Sequence, residues 1–442
     1  MKLKTEILNS LGFESLTPMQ TAMYEKAAQS SGIVLLSPTG SGKTLAFLLP
    51  LVEHINITTD ALQAVIIVPT RELAQQIEEV LRSMKTRTRF VALYGGRPAM
   101  QEHRVLKEVK PHLVIATPGR LGDHMRKGNV NKLGIRYLVI DEFDKCLELG
   151  FQEEMEGILM QMKLVSKCWL MSATDSDAIP TFMNKVTPEF IKLDYSAGYD
   201  DLQQRIEIRQ VISPSKDKLE TLGRLLNHIA GAPAIVFVAH RESVERVGEY
   251  LLSKGFYISM YHGGMEQEIR ERALYKFRHG SANVLISTDL AARGLDIPEV
   301  RAVIHYHLPL KLEEFTHRNG RTARWDSEGV IYMITSAKEQ VPDYVDTSSL
   351  LELEETSLHI VSPRFATIYI GRGKKDKLSK GDILGFLCKK GGLKSADIGR
   401  IDVGSHSAYV AVLRSKLKNV LKQVSGEKIK GMKTLIEETK KY

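Results

Sequence analysis

The feature that most constrains this chain is the glycine-rich stretch Ser37-Pro38-Thr39-Gly40-Ser41-Gly42-Lys43-Thr44. It follows an apolar run, residues 32–36, and precedes a helix-compatible segment, residues 45–49. This strand–loop–helix order is what a phosphate-binding P-loop requires, with backbone N–H groups around the phosphates, Lys43 reaching them and the Thr44 hydroxyl on Mg²⁺. Ser37 replaces the usual first glycine and is small enough for the turn. We therefore predict a nucleotide-binding α/β domain.

A second acidic motif supports this prediction. Residues 136–140 form an apolar, β-branched run typical of a buried parallel strand, and Asp141-Glu142-Phe143-Asp144 follows it. The carboxyl end of such a strand lies at the ligand-binding edge of an open α/β sheet. Asp141 is predicted to hold Mg²⁺, and Glu142 to orient or deprotonate the attacking water. Phosphoryl transfer needs little more than positioning and charge neutralisation.

The length of 442 residues favours two or three domains. Helical patterns alternate up to residue 195 with six short apolar runs, residues 33–36, 64–68, 90–94, 113–116, 137–140 and 169–171. This alternation predicts a doubly wound parallel sheet. A polar stretch, residues 196–215, is interpreted as a hinge, and a second alternating series extends to about residue 345. Residues 346–363 are interpreted as an acidic linker. The pattern of residues 364–442 predicts a β-α-β-β-α-β domain whose last strand spans residues 428–437.

The charge is unevenly distributed along the chain. The formal net charge is +8, but residues 364–442 hold 19 basic and 7 acidic residues, and the remainder of the chain carries −4. A basic terminal domain on a nearly neutral body is typical of nucleic-acid binding. The three cysteines, Cys146, Cys168 and Cys388, have neither metal-ligand nor redox spacing, which favours a cytoplasmic protein. No apolar run has the length of a membrane span, about 20 residues.

The motifs also follow the order of a known family. Phe13, Pro18 and Gln20 resemble a Q motif, and Pro69–Ala74, Gly95-Gly96, Thr117–Arg120 and Ser172–Thr174 follow. Later in the chain, Ser287–Asp296 and His317–Arg324 complete the set. This series resembles the DEAD-box ATP-dependent RNA helicases. The resemblance implies two tandem RecA-like lobes, residues 1–195 and 205–345.

The resemblance implies roles for individual residues. Glu142, Arg321 and Arg324 would be catalytic, the two arginines acting on charge that builds at the γ-phosphoryl group. The Gln20 amide, with one donor group and one acceptor, suits the edge of adenine. Asp144, Ser172 and Thr174 would couple hydrolysis to lobe closure. Mg²⁺ would be held by Thr44 and Asp141, and ATP by Phe13, Gln20, Ser37, Pro38, Thr39, Gly40, Ser41, Gly42, Lys43, Thr44 and Asp296.

The lobes would bind RNA mainly through its phosphates and riboses, which carry little sequence information. The implied residues are Pro69, Thr70, Arg71, Gly96, Thr117, Pro118, Gly119, Arg120, Arg293 and Gly294. Residues 364–442 resemble a DbpA-type RNA-binding domain with an RRM-like fold. Its candidate RNA contacts are Tyr369, Lys374, Lys375, Lys377, Arg400, Tyr409, Lys428 and Lys430. The resemblance implies a structured hairpin of large-subunit ribosomal RNA as the target.

Some residues depart from the family pattern. Phe143 stands in place of alanine, Leu16 in place of proline, and Asn319, Ala323 and Trp325 replace commoner residues around the arginine motif. The leading hypothesis is a monomeric, RNA-stimulated ATPase that locally unwinds structured RNA, acting on large-subunit rRNA and pre-ribosomal particles with ATP and Mg²⁺. One alternative is an ATP-gated RNA clamp with little turnover. A DNA-directed motor is the other, and an RRM-like domain favours RNA over DNA.

Overall fold

A computed structural model describes residues 2–38, 40–96, 98–174, 179–187, 189–196, 206–289, 300–322, 329–345, 349–354 and 357–439. These residues form two compact units, residues 2–196 and residues 206–439. Among them, no helix is both long enough and apolar enough to cross a membrane.

The first unit is a seven-stranded parallel sheet with helices on both faces. The strand order is β3-β4-β2-β5-β6-β1-β7. The strands are β1 (Gly32–Leu36), β2 (Ala64–Ile67), β3 (Phe90–Leu93), β4 (Leu113–Ala116), β5 (Tyr137–Ile140), β6 (Lys167–Ser172) and β7 (Ile191–Asp194). The helices are α1 (Lys2–Leu11), α2 (Pro18–Gln29), α3 (Lys43–His54), α4 (Arg71–Ser83), α5 (Ala99–Val109), α6 (Pro118–Arg126), α7 (Phe143–Glu148) and α8 (Gln152–Leu159).

The strands of this sheet are apolar throughout because both faces are buried. In β2, Ile66 belongs to the core cluster on one side, while Val65 and Ile67 belong to the cluster on the other. The six predicted strands are all present, and the edge strand β7 was not predicted. Because all strands are parallel, the loops that follow them meet at one edge of the sheet.

The second unit begins with another seven-stranded parallel sheet, in the order β10-β11-β9-β12-β13-β8-β14. The predicted pair of parallel-sheet lobes is thus confirmed. The strands are β8 (Ile206–Ser213), β9 (Ala234–Val238), β10 (Ile258–Tyr261), β11 (Val284–Thr288), β12 (Ala302–His305), β13 (Gly329–Ser336) and β14 (Ser349–Leu350). The helices are α9 (Leu219–His228), α10 (Arg241–Ser253), α11 (Gln267–Arg278) and α12 (Leu312–Asn319).

Two segments interpreted as connections belong to this sheet. The interpretation of residues 206–213 as part of a hinge was wrong, because they form β8 between β13 and β14. This strand tolerates Glu207, Arg209 and Gln210 because it lies near the sheet edge. The acidic segment 346–363 contributes β14, and its side chains Leu351, Leu353, Leu358 and Ile360 pack on the lobe core.

The terminal domain, residues 364–439, has a four-stranded antiparallel sheet in the order β16-β17-β15-β20. Its elements are β15 (Phe365–Ile370), α13 (Lys380–Lys389), β16 (Ile398–Val403), β17 (Ala408–Leu413), α14 (Leu417–Val424), β18 (Lys428–Ile429), β19 (Met432–Lys433) and β20 (Ile436–Glu438). The predicted small α+β domain is confirmed. The prediction of a single last strand over residues 428–437 was wrong, because β18 and β19 form a separate hairpin before β20.

This terminal sheet packs against α11 of the preceding lobe. The rings of Tyr275 and Tyr409 stack with their centroids 4.5 Å apart. The Nε2 of His279 lies 3.0 Å from Oδ2 of Asp402. The terminal domain and the second lobe therefore form one packed unit.

Candidate nucleotide and RNA site

The P-loop lies between β1 and α3, as predicted. Gly40 and Gly42 have φ of +83° and +90°, a left-handed backbone that favours glycine. The Lys43 ammonium is buried and donates to the carbonyl oxygens of Ser37 and Ser172, the second at 3.3 Å. Ser37 Oγ donates to Ser41 Oγ at 2.7 Å. The loop therefore holds a cation and the N-terminus of a 12-residue helix at one point, which suits an anionic phosphate.

Gln20 connects helix α2 to the P-loop. Its Nε2 donates to the Gly42 carbonyl at 3.2 Å, and its Oε1 accepts from the Thr17 backbone N–H at 3.0 Å. A Cβ on Gly42 would lie 2.6 Å from Gln20 Nε2, so a larger residue would displace this contact. Among the residues that the structure describes, these two bonds use one N–H of the amide and one lone pair of its oxygen, and the other N–H and lone pair are left for a further partner. Phe13, also assigned to ATP, is 49% exposed.

The acidic motif begins at the end of β5, two strands from β1. Asp141 is buried, and its Oδ1 accepts from the Glu142 backbone N–H at 2.9 Å. Burial raises the pKa of Asp141 to about 6, against the opposing charge of Lys43. Burial also lowers the pKa of Lys43, against the charges of Asp141 and Asp144. Each group therefore favours the charged form of the other. Glu142 has a φ of +49°, a strained conformation for a residue other than glycine.

The three residues assigned to coupling lie together. Asp144 Oδ2 accepts from Thr174 Oγ1 at 2.9 Å and from its backbone N–H at 3.3 Å. Ser172 Oγ donates to the Thr174 carbonyl at 2.6 Å. Since Lys43 also donates to the Ser172 carbonyl, this group is connected to the P-loop. Their role in coupling remains a prediction.

The RNA motifs of the first unit follow three adjacent strands, β3, β4 and β2. Thr70 caps α4, its Oγ1 accepting from the Leu73 N–H at 3.2 Å, and Pro69 precedes it. A Cβ on Gly96, where φ is +91°, would lie 3.0 Å from Nη1 of Arg71. Thr117 is the N-cap of α6, which starts with Pro118, Gly119 and Arg120. Two helix N-termini and an arginine therefore lie along one edge of the sheet.

Glu102 holds Arg120 in place, a role that the sequence did not reveal. This carboxylate is 4% exposed and accepts from Arg120 Nε at 2.6 Å and from the Tyr94 backbone N–H at 3.3 Å. His124 Nε2 lies 2.9 Å from the same carboxylate. The bond joins two different helices, α5 and α6, across 18 positions of the chain, so no pattern within one element could have indicated it.

In the second unit, Arg318 connects two motifs. Its Nε and Nη2 donate to the two carboxylate oxygens of Asp289 at 2.5 and 2.6 Å. Arg321, assigned to catalysis, follows α12 and is buried, and its backbone N–H donates to the Arg318 carbonyl at 3.3 Å. Five further assigned residues lie outside the described part of the chain: Thr39, Arg293, Gly294, Asp296 and Arg324.

An open groove of about 680 Å³ follows β9, β10 and β11 in the second unit. Arg241, the first residue of α10, and Gly264 line it, and a Cβ on Gly264 would lie 3.3 Å from Arg241 Nη1. The same pairing of an arginine and a glycine joins Arg71 and Gly96 in the first unit. Arg241 and Gly264 were not predicted from the sequence. The glycine doublets after Tyr94 and after Tyr261-His262 were the available signal.

The terminal domain brings four of the assigned lysines to one surface. Lys374 and Lys375 form an exposed helical turn with Asp376, followed by Lys377. Lys430 Nζ donates to the Lys377 carbonyl at 3.0 Å, which draws the β18–β19 turn to this one. We call Lys374, Lys375, Lys377 and Lys430 the lysine cluster. Lys428, also exposed, lies in the adjoining strand.

The other assigned residues of this domain lie closer to the second lobe. The ring of Tyr409 is 6% exposed, with Tyr275 stacked on it and Tyr369 5.5 Å away edge-on. In this arrangement a base has no access to the Tyr409 ring, because Tyr275 covers it. Arg400 Nε donates to Asp402 Oδ2 at 3.0 Å. The structure therefore separates these residues from the lysine cluster.

Three family models match this chain. They are the DEAD/DEAH box helicase over residues 17–181, the helicase conserved C-terminal domain over 217–326, and the DbpA RNA binding domain over 367–438. The chain is 34% identical to the ATP-dependent RNA helicase DbpA of Escherichia coli, covering 96% of this chain and 94% of the relative. The DbpA protein of Bacillus subtilis is 30% identical, with 98% and 97% covered.

Solved structures with the same fold agree. Saccharomyces cerevisiae Dbp5 bound to RNA and ADP BeF3 matches with a TM-score of 0.68 at 25% identity, covering 76% of this chain and 88% of that one. Mss116p bound to ssRNA and AMP-PNP matches with a TM-score of 0.68 at 27% identity, covering 80% and 78%. The matches therefore extend over both parallel-sheet lobes.

Proposed function

The chain belongs to the DEAD-box ATP-dependent RNA helicases of the DbpA type, and from this premise we propose how its residues bind ATP and RNA and which RNA it serves. It is an ATP-hydrolysing enzyme that binds RNA. We propose that it remodels structured large-subunit ribosomal RNA in pre-ribosomal particles in the cytoplasm. The observation that supports this most is the terminal RNA-binding domain, with its net charge of +12, packed on the second of two helicase lobes.

The ATP site is proposed to lie at the P-loop. The loop N–H groups and Lys43 would bind the phosphates, and Gln20 and Phe13 the adenine. Thr44 and Asp141 would hold Mg²⁺, since one hydroxyl, one carboxylate and the phosphates suffice for this ion. Glu142 would orient the attacking water. Arg321 and Arg324 would stabilise charge on the γ-phosphoryl group, so hydrolysis would require the second lobe to come to the nucleotide.

The RNA backbone is proposed to run along corresponding edges of the two sheets. The first edge presents Arg71, Gly96 and the N-terminus of α6, and the second presents Arg241 and Gly264. Arginines and helix N-termini suit phosphates and carry no sequence information. Selection of one RNA is therefore assigned to the terminal domain and its lysine cluster.

RNA-dependent ATP turnover tests this function. We expect little hydrolysis without RNA and a large increase with a large-subunit rRNA fragment that contains a hairpin. Deletion of residues 364–442 should remove the preference for that fragment and leave activity on generic RNA. High turnover without RNA, or an unchanged RNA preference after deletion, would contradict the proposal.

A non-processive RNA clamp with little turnover remains the second candidate. The presence of Glu142 and Arg321 favours catalysis, since a clamp needs neither. Hydrolysis of fewer than one ATP during the time that one RNA stays bound would favour the clamp. Competition between matched RNA and DNA hairpins tests the proposed preference for RNA, and sedimentation tests the proposed monomer.

A further inference from the structure

A buried histidine, His305, lies beneath the arginine motif of the second lobe. It ends β12, and its side chain is fully buried. The ring stacks on Phe315 with centroids 5.5 Å apart, and the centroid of the Phe237 ring lies 6.3 Å away. Burial and the adjacent charge of Arg318 lower the pKa of His305 to about 3. The imidazole is therefore neutral at physiological pH.

The partners of this ring determine which nitrogen carries the proton. Arg318 Nη1 lies 3.1 Å from Nδ1, and a guanidinium can only donate, so Nδ1 must accept. Nε2 lies 3.0 Å from Oδ1 of Asn319 and donates to it. The ring thus offers one acceptor and one donor in opposite directions. Both are used, each by a residue of the same helix end.

His305 is one of three residues whose hydrogen bonds fix the orientation of Arg318. Besides His305, its Nη1 donates to the His307 carbonyl at 2.7 Å, while Nε and Nη2 donate to Asp289. Four of the five guanidinium N–H groups are therefore bonded. Without the Nδ1 acceptor, one of these N–H groups would be buried and unpaired, which is unfavourable.

The same helix end carries the arginine motif. Asn319 is the last residue of α12, and its carbonyl accepts from the Thr322 N–H at 3.0 Å. Arg321 donates through its backbone N–H to the Arg318 carbonyl. The turn that presents Arg321 is thus anchored at the two residues that His305 contacts. Asn319 was noted above as a departure from the family pattern, and its bond to His305 gives that departure a physical reason.

We propose that His305, together with Asn319, is a positioning residue for ATP hydrolysis: its ring fixes Arg318 and the end of α12, and thereby the place of Arg321. The inference rests on the proposed catalytic role of Arg321. His305 touches neither nucleotide nor RNA in this scheme, so it acts through the other residues. A core histidine that merely fills space would need its ring volume but not its two hydrogen bonds.

Two substitutions separate these roles. His305→Phe keeps an aromatic ring and removes both hydrogen bonds, whereas His305→Gln gives up the ring and keeps a neutral donor and acceptor. We expect His305→Phe to lower the RNA-stimulated kcat about tenfold, the usual effect of losing a hydrogen bond to a charged group. KM for ATP should stay within about twofold, because ground-state binding lies with the P-loop. His305→Gln should recover most of kcat.

The control is His228→Phe, since His228 is exposed at the end of α9 and belongs to no site described above. It should leave kcat unchanged. An unchanged kcat in His305→Phe, or an equal loss in His305→Gln, would overturn the proposal. If His305→Phe does not fold by circular dichroism, Asn319→Leu decides, because it removes only one acceptor. An unaltered kcat in Asn319→Leu would then overturn the proposal. An inactive unmodified protein would contradict the proposed function instead.

Discussion

Glu142 combines backbone strain with an expected catalytic role. Its φ of +49° is unfavourable for a residue with a Cβ, by about 1 kcal/mol. Glu142→Gln keeps this conformation and removes the charge, whereas Glu142→Gly removes both the charge and the strain. We predict that both variants lose ATP turnover by about 100-fold, in line with the loss of a group that orients the reacting water. Of the two, Glu142→Gly should be the more stable, by about 1 kcal/mol.

Single-turnover hydrolysis and thermal unfolding measure the two effects separately. Both variants should still bind ATP, which a fluorescent nucleotide analogue can verify. Full turnover in Glu142→Gln would show that another group orients the water. Lower stability in Glu142→Gly than in Glu142→Gln would show that the left-handed backbone carries no strain.

His305 also predicts a pH dependence of stability. Its pKa is about 3 in the folded protein and about 6.5 in an unfolded chain. Between these values the unfolded state binds a proton that the folded state does not, so stability falls as the pH falls from 6.5 towards 3. Arg318 is the charged group that faces the ring, and it disfavours the protonated form. Stability at pH 5 should be lower than at pH 6.5 by about 1 to 2 kcal/mol.

Urea unfolding of the second unit at the two pH values measures this loss. His305→Gln cannot bind the proton and should flatten the curve by the same amount. An equal pH dependence in the variant would assign the effect to other groups.

At the scale of the element, local patterns predicted the central strands and failed at the edges. Strands β2 and β5 are apolar throughout because both faces are buried, and any window of the sequence shows this. Strands β7 and β8 lie at or near a sheet edge, where polar residues are tolerated, so their pattern is weak. The β18–β19 hairpin has two residues in each strand, too few to form a pattern.

The site residues also divide into those that a local sequence pattern predicted and those that it did not. The P-loop and the acidic motif were predictable because each is a local arrangement around one strand end. The contact of Glu102 with Arg120, and that of Arg241 with Gly264, each join two different elements of the fold. The covering of Tyr409 depends on packing between domains, which single-chain periodicity does not contain. The role of a site residue was therefore predictable where its neighbours along the chain determine that role.

The turn that carries the lysine cluster depends on one glycine. A Cβ on Gly373 would lie 2.5 Å from the Gly404 carbonyl oxygen and 2.7 Å from Ser405, both backbone contacts that cannot rotate away. We predict that Gly373→Ala displaces the turn and weakens binding of the hairpin rRNA by about tenfold, as expected when several phosphate contacts move. ATP turnover on generic RNA should be unchanged.

Gly385→Ala is the matched control for this prediction. Gly385 lies inside α13 with no atom within 4 Å of the added Cβ, so alanine should stabilise the helix by about 1 kcal/mol. Hairpin affinity measured by filter binding should be normal in this variant. Equal affinities in the two variants would show that the Gly373 turn is not part of the RNA surface.

At the scale of the whole molecule, the lysine cluster and the packing contacts of the terminal domain have separate places. The terminal domain contacts the second lobe through the Tyr275–Tyr409 stack, the Ser281–Thr367 hydrogen bond of 2.7 Å and the contact of His279 Nε2 with Asp402 Oδ2 at 3.0 Å. Its lysine cluster is exposed and takes no part in them. The charge that we propose to bind RNA can therefore be removed without disturbing the packing of the terminal domain on the lobe.

This separation yields a prediction for salt dependence. Replacing the four lysines of the cluster by glutamine should reduce the slope of log affinity against log salt by about 3, since each phosphate contact contributes about 0.7 to 0.9. Deleting residues 364–442 should reduce the slope at least as much, but it would also expose Tyr275, which Tyr409 covers. The quadruple variant should keep its packing on the second lobe, and loss of the Lys430–Asp382 ion pair of 3.0 Å should lower its stability only slightly. The control with an equal change of charge replaces four exposed lysines of the lobes by glutamine. These are Lys85, Lys163, Lys216 and Lys254. An equal reduction of slope in both variants would mean that net charge, rather than this surface, binds the RNA.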